Sequence, residues 1–102
     1  MKVGTDGVLL GAWAMLEEQG AAQTRKAIGE VLDIGTGSGL VALMLAQRFP
    51  QAEIDAIDIE PSAVEQARYN FLQSPWKERI HSFLSSLQEW QTKKRYDLIV
   101  SN

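Results

Sequence analysis

The chain reads as an α/β domain built on a parallel sheet with crossover helices, and three observations lead there. Short apolar, β-branched runs alternate with helical patterns, Pro and Gly stand at the junctions, and the turn Gly35-Thr36-Gly37-Ser38-Gly39 joins the first strand directly to a helix. A length of 102 residues with 45% apolar content fits one domain.

In chain order, residues 6–18 predict a first helix, with Asp6 at its N-cap and Val8, Leu9, Ala12, Trp13 and Leu16 along one face. Gly20 ends it, and the polar, Ala-rich stretch 20–29 is a connector. The first strand follows at 30–34, where Val31, Leu32 and Ile34 suit a strand covered on both faces. Leu40 to Ala46 opens a largely buried helix that runs to about Arg48 and is stopped by Pro50. The second strand spans 53–59, with Ile54, Ala56, Ile57 and Ile59 as its apolar content. Pro61 suits the first position of the next helix, where its missing N–H costs nothing. Ala63, Val64, Ala67 and Phe71 form that helix's buried face, and Ser74-Pro75-Trp76 breaks it. Residues 80–84 and 97–101 give a third and a fourth strand.

Composition removes several function classes. With no cysteine, disulfides and thiolate zinc sites are excluded, and a single histidine argues against a transition-metal centre. No apolar run approaches the roughly 18 residues that span a bilayer, and the N-terminus lacks a signal-peptide pattern, so a soluble cytoplasmic protein is expected. The net charge of −3 argues against broad nucleic-acid binding. Two small basic runs, Arg25-Lys26 and Lys93-Lys94-Arg95, read as solvated loop, with a phosphate contact as the alternative.

The glycine spacing separates two ligand classes. Dinucleotide loops read G-x-G-x-x-G/A, and here the third small position falls on Leu40. The pattern is instead D-x-G-x-G-x-G, from Asp33 to Gly39. It resembles the first motif of class I S-adenosylmethionine (SAM) methyltransferases, whose loop wraps the methionine part of the cofactor. That resemblance implies a Rossmann-like fold with its strands in the order 3-2-1-4, SAM as cofactor, and Gly35, Thr36, Gly37 and Gly39 among its contacts. A glycine-rich connection without a ligand is the plain alternative.

Two carboxylates belong beside this loop. Asp58, at the carboxyl end of the second strand, is placed to accept both ribose hydroxyls of a nucleoside, and Glu60, before Pro61, is the competing acid. Asp33, inside an apolar strand, needs hydrogen bonds to offset its desolvation. Backbone N–H groups of the glycine loop are the expected donors, and in the resembling family the same acid reaches the cofactor's amino group. The resemblance adds Ile59 and Ser86 to the cofactor contacts.

The chain ends narrow the resemblance. Residues 2–14, Lys-Val-Gly-Thr-Asp-Gly-Val-Leu-Leu-Gly-Ala-Trp-Ala, are similar to the N-terminal signature of the bacterial tRNA1(Val) adenine-37 N6-methyltransferase family. By that resemblance Gly4, Thr5 and Asp6 lie near the SAM carboxylate and amino groups; alone, the segment reads as a capped helix start. Residues 97–102, Asp-Leu-Ile-Val-Ser-Asn, resemble the lead-in to the Asn-Pro-Pro-Tyr motif of amino-group methyltransferases. In that motif the Asn oxygen and a proline carbonyl accept hydrogen bonds from the amine and hold its nitrogen towards the methyl group, so positioning carries most of the catalysis without a metal. Asn102 is therefore the catalytic candidate. Ser85-Ser86 stand where the family more often has an acid near the adenine ring, leaving a Ser hydroxyl, a backbone N–H or apolar contacts to recognise it.

Family members are longer, so the chain is expected to be one truncated domain, with Pro-Pro-Tyr and further strands after Asn102, the fourth strand left as an apolar edge, and no activity as an isolated piece. Trp13 reads as core, Trp76 as packed over a loop, Trp90 as anchoring the connector before the fourth strand, and His81 as structural or exposed. Three functions stay open: N6-methylation of a tRNA adenine, methylation of another amine such as a ribosomal RNA base or protein glutamine, and a non-catalytic SAM-binding piece.

Overall fold

The computed structural model describes residues 28–101. Their elements are β1 (Glu30–Ile34), α1 (Leu40–Arg48), β2 (Glu53–Asp58), α2 (Pro61–Leu72), β3 (Ile80–Leu84) and β4 (Leu98–Ser101). All pairings are parallel and the order is β3-β2-β1-β4, as the sequence predicts. The helix expected over 6–18 lies outside the described residues, and Trp13 with it.

Side-chain alternation gives the sheet two unlike faces. Val31, Ile54, Ala56, Ile80 and Val100 join one apolar cluster with Val41, Ala42, Leu45 and Ala46 of α1 and with Ala67 and Phe71 of α2. The buried α1 residues recur at helical spacing and form its inward stripe. Leu40, expected at the head of a buried helix, is half exposed, because the first helical residue leaves the loop before that stripe begins. Phe49 is fully buried where α1 ends. Arg79 caps that end from beyond α2: its guanidinium donates to the carbonyls of Ala46 (2.9 Å), Phe49 (3.3 Å) and Ala52 (2.7 Å). These are the carbonyls at and beyond a helix C-terminus that lack helical partners.

The break after α2 is built from its own side chains. Ser74 donates its hydroxyl to the Phe71 carbonyl (2.8 Å) and accepts the Trp76 N–H (3.2 Å), and the Trp76 ring packs on the apolar cluster. Two strand boundaries differ by one residue from expectation. β2 ends at Asp58, because the chain turns there and leaves Ile59 71% exposed. β4 begins at Leu98, because Asp97 works as a clamp. Its amide donates to the Glu30 carbonyl (2.8 Å), and its Oδ2 accepts the N–H groups of Gly29 (2.8 Å) and Glu30 (3.0 Å).

On the second face Leu32 and Ile57 are buried, and the segment 85–97 crosses it. Asp55, also buried there, accepts the Tyr96 hydroxyl at 2.7 Å and the Lys94 ammonium at 3.2 Å. Lys94 also lies 3.4 Å from Glu30. Trp90 donates from Nε1 to the Tyr96 oxygen (3.1 Å) and stacks obliquely on Phe83, ring centroids 4.8 Å apart, which is the anchoring expected of it. The reading of Lys93-Lys94-Arg95 as wholly solvated is thus corrected at Lys94, which turns inward because a buried carboxylate needs a partner. Burial alone would lower the Lys94 pKa, but Asp55 and Glu30 outweigh it and the net shift is upward. Tyr96 is also shifted up, by burial first and then by its bond to Asp55. His81 sits half exposed with Nε2 3.0 Å from Glu53 Oε1, a structural place. Among the described residues no helix is long and apolar enough to cross a membrane, and no group of His, Asp and Glu could hold a metal ion.

Candidate functional site

In a parallel sheet the crevice beyond the carboxyl ends of the strands is left open by the crossover connections, and ligands bind there. Here it holds a cavity of about 280 Å³, walled by Ile34 at the end of β1 with Gly35 after it, Asp58 at the end of β2 with Ile59 after it, and residues 85–88 after β3. That is close to the lower end of small-molecule sites, roughly 300 Å³.

The glycine loop is held residue by residue. Gly35, Gly37 and Gly39 all have positive φ, at 74°, 58° and 89°, a region that side chains rarely enter. With this curvature the loop crosses over the end of β2, and the N–H groups of Gly35 and Thr36 both donate to the Ile57 carbonyl (2.9 and 3.0 Å). The Gly37 N–H donates to Asp58 Oδ2 (2.9 Å), while Asp58 Oδ1 accepts the Glu60 N–H (2.9 Å). Glu60 is the N-cap residue of α2, but its own side chain makes no cap bond. Asp58 is therefore the acid that faces the cavity, and both its oxygens keep lone pairs for further donors.

Asp33 corrects one expectation. The loop amides go to Ile57 and Asp58, because the loop crosses β2 rather than folding back on β1. Asp33 is only 3% exposed, and its Oδ2 is buried without a partner; the Thr36 hydroxyl beside it is another buried group without one. Burial pushes the Asp33 pKa up to about 6, with the nearby Thr36 hydroxyl opposing and the Asp58 carboxylate reinforcing the shift. Two adjacent unsatisfied polar atoms beneath a ligand loop fit a ligand that donates hydrogen bonds.

Gly39 is fixed by packing as well. A Cβ there would lie 2.5 Å from Phe71 Cε1 and 3.3 Å from Ala67 Cβ, so α2 by itself requires its bareness. A Cβ at Gly37 would meet nothing. Ser86 lines the cavity, and its hydroxyl is occupied, accepting the Glu89 N–H (3.2 Å) and donating to Glu89 Oε1 (3.3 Å). Gly35, Asp58, Ile59 and Ser86 thus share one cavity, Asp33, Thr36 and Gly37 support it, and Thr5, Asp6 and Asn102 lie outside the described residues. Leu87 and Gln88 were not anticipated, since the stretch after β3 has no periodicity to mark it; the exposed Leu87 was the only signal.

The electrostatics select the ligand's charge. One carboxylate, Asp58, lines the cleft with Asp33 buried nearby, and among the described residues no Lys, Arg or His lines it. The Gly37 and Gly39 amides are engaged within the protein, by Asp58 and by the Thr36 carbonyl. A pyrophosphate would meet negative charge and few available donors, whereas a ligand with hydroxyl and cationic groups meets acceptors.

Comparisons with known proteins agree with this geometry. A protein 55% identical over 103 residues is the tRNA1(Val) (adenine(37)-N6)-methyltransferase of Aeromonas salmonicida, matched over all of this chain and 39% of its own length. The protein of the same name from Yersinia enterocolitica is 51% identical over 105 residues, matched over all of this chain and 38% of its own. The chain thus spans about two fifths of the length of the curated relatives it matches. Among solved structures, the plantazolicin methyltransferase BpumL, in complex with a pentazolic desmethylPZN analog and SAH, superposes with a TM-score of 0.60 and 25% identity, covering 71% of this chain and 26% of that one. The family model of the methyltransferase small domain matches residues 11–102, and the chain belongs to that family.

Proposed function

We propose that the protein is a cytoplasmic SAM-dependent methyltransferase acting on the N6 amine of an adenine in the anticodon loop of tRNA, adenine-37 of tRNA1(Val). The acidic cleft over a glycine loop, with no cationic side chain among its described lining residues, carries the cofactor reading, and the names of the half-identical relatives support the substrate. SAM would bring an electrophilic methyl group on a sulfonium, together with an ammonium and two ribose hydroxyls. The residues present fit it. Asp58 has acceptor capacity for the ribose, and Asp33 and Thr36 offer buried, unpartnered oxygens to the methionine end. Ile59 presents an exposed apolar side chain to the adenine, with Ser86 beside it. Gly35, Thr36 and Gly37 bring bare backbone close, and Gly39 completes the loop where it packs against α2.

Thr5 and Asp6 belong to the same reading as contacts at the methionine end. Asn102 is its catalytic residue, accepting a hydrogen bond from the adenine amine. β4 ends with Ser101 in register with Ile34, so the chain leaves the sheet next to the glycine loop, where a base-positioning group is needed. No metal enters this chemistry, because orientation of the amine supplies most of what the transfer needs.

The test uses the full-length protein, labelled SAM, and total tRNA and ribosomes from cells lacking the protein. Label is expected as N6-methyladenosine at one anticodon-loop position of one tRNA. Label confined to ribosomal RNA or to protein would overturn the substrate assignment, and no SAM binding would overturn the cofactor as well.

A further inference from the structure

Three consecutive residues of the glycine loop are held by three different groups, all from the β2–α2 unit. Asp58 takes the Gly37 N–H, the side chain of Asn70 reaches the Ser38 carbonyl, and Phe71 with Ala67 leaves room only for a glycine at Gly39. The first contact belongs to the cofactor acid and the third to the core. The second has no part in either.

We infer that Asn70 is a positioning residue for the cofactor loop, its side-chain amide fixing the Ser38 carbonyl and with it the curvature that Gly37 and Gly39 permit. The bond from Asn70 Nδ2 to the Ser38 oxygen is 2.8 Å long and joins residues 32 apart in the chain. A carbonyl oxygen only accepts, so the amide must present its NH2 group to it. Gln66, one helical turn earlier, sets the same orientation by donating from Nε2 to Asn70 Oδ1 (3.3 Å). The amide is thus held at both ends, and its position on the rim of α2 lets it act on the loop without touching the cavity. Backbone curvature in a left-handed glycine loop is weakly restrained by the residues themselves, because glycine populates many conformations. A carbonyl tied down between Gly37 and Gly39 removes much of that freedom before any ligand arrives, which is how preorganisation raises affinity.

The inference rests on the cofactor reading above, and the experiment separates the two. In the full-length protein, S-adenosylhomocysteine binding is measured by calorimetry and tRNA methylation by steady-state kinetics, for wild type, Asn70→Ala, the isosteric Asn70→Asp, and Tyr69→Ala as an exposed neighbour on the same helix. One lost hydrogen bond corresponds to about 3- to 10-fold in an equilibrium constant. Asn70→Ala is expected to raise the KM for SAM by that factor with kcat within about twofold, because the loop's grip is the same in ground and transition states. Asn70→Asp, which sets an acceptor against an acceptor, should weaken binding further, and Tyr69→Ala should match wild type. Wild-type affinity and KM in both Asn70 variants overturn the inference. If the wild type itself does not bind, the cofactor reading fails, and hydrogen exchange decides the loop alone. Faster exchange at the amides of 36–39 in Asn70→Ala supports the positioning role, and unchanged exchange overturns it. If Asn70→Ala fails to fold, the isostere carries the test, and failure of both to fold overturns a positioning role in favour of a purely structural one.

Discussion

Asp33 is a carboxyl that the fold makes costly to ionise. Its pKa of about 6 lies above the ordinary 3.8, mainly through burial, so the native state holds the proton more tightly than the unfolded chain does. The sign follows from that. Below about pH 4 both states are protonated and the residue is neutral for stability; between about pH 4 and 6 the unfolded chain alone ionises and stability falls; above about pH 6 the full penalty remains. A shift of that size corresponds to at most about 3 kcal/mol. Asp33→Asn is therefore expected to stabilise the ligand-free full-length protein at pH 7.5 by up to about 3 kcal/mol, to give no gain near pH 4, and to weaken SAM binding at least about tenfold. Denaturant unfolding at the two pH values and calorimetry check it, and an unchanged or lowered stability at pH 7.5 contradicts the burial argument. That an acid in the strand Val31-Leu32-Asp33-Ile34 is under electrostatic stress was legible from its apolar neighbours. That the loop amides bond elsewhere was not, because the loop's path over β2 depends on a strand that lies beyond it in the chain.

At the scale of elements, α2 shapes the ligand loop as much as the loop's own sequence does. A Cβ on Gly39 meets both a φ of +89° and the Phe71 ring, whereas one on Gly37 meets a φ of +58° and open space. The left-handed conformation alone costs a non-glycine residue roughly 1–2 kcal/mol. Gly37→Ala should then destabilise by about that amount, and Gly39→Ala by about 3 kcal/mol or more once the clash is added. Phe71→Leu in the Gly39→Ala background should recover part of the difference, as read from denaturant midpoints. Equal costs at the two glycines would remove the packing role given to Gly39. The elements themselves were readable because their punctuation is local: Pro50 after α1, Pro61 at the start of α2, and Ser74-Pro75-Trp76 after it. The packing constraint on Gly39 is not legible in the sequence, because its steric partner, Phe71, sits a whole helix and strand later. Arg79 as the cap of α1 and Asn70 as the tether of Ser38 were invisible for the same reason.

At the scale of the molecule, the two faces of the sheet are closed by different physics. Helices seal one face with apolar side chains, in a sheet whose parallel pairing follows from the alternation of strands and helices and whose β3-β2-β1-β4 order was expected from the methyltransferase resemblance. The other face carries a buried carboxylate, and segment 85–97, which covers it, has no hydrophobic period and a basic run that reads as solvent-facing. Its attachment is the chain from Asp55 through the Tyr96 hydroxyl to the Trp90 indole, with Lys94 neutralising the charge. Lys94 is 41% exposed, so solvent screens much of its contribution, and the short 2.7 Å bond from Tyr96 is the stronger hold. Removing that hydroxyl leaves an acceptor on Asp55 and a donor on Trp90 without their partner. Tyr96→Phe should cost about 1–3 kcal/mol and shift the fluorescence of Trp90, which loses its hydrogen bond. In an Asp55→Asn background the same change should cost at least about 1 kcal/mol less, since the charge-assisted part of the bond is already gone. Strictly additive costs in this double-mutant cycle would show that Tyr96 holds the segment by packing alone, and the ring contact of Trp90 with Phe83 would then be its main anchor on the sheet.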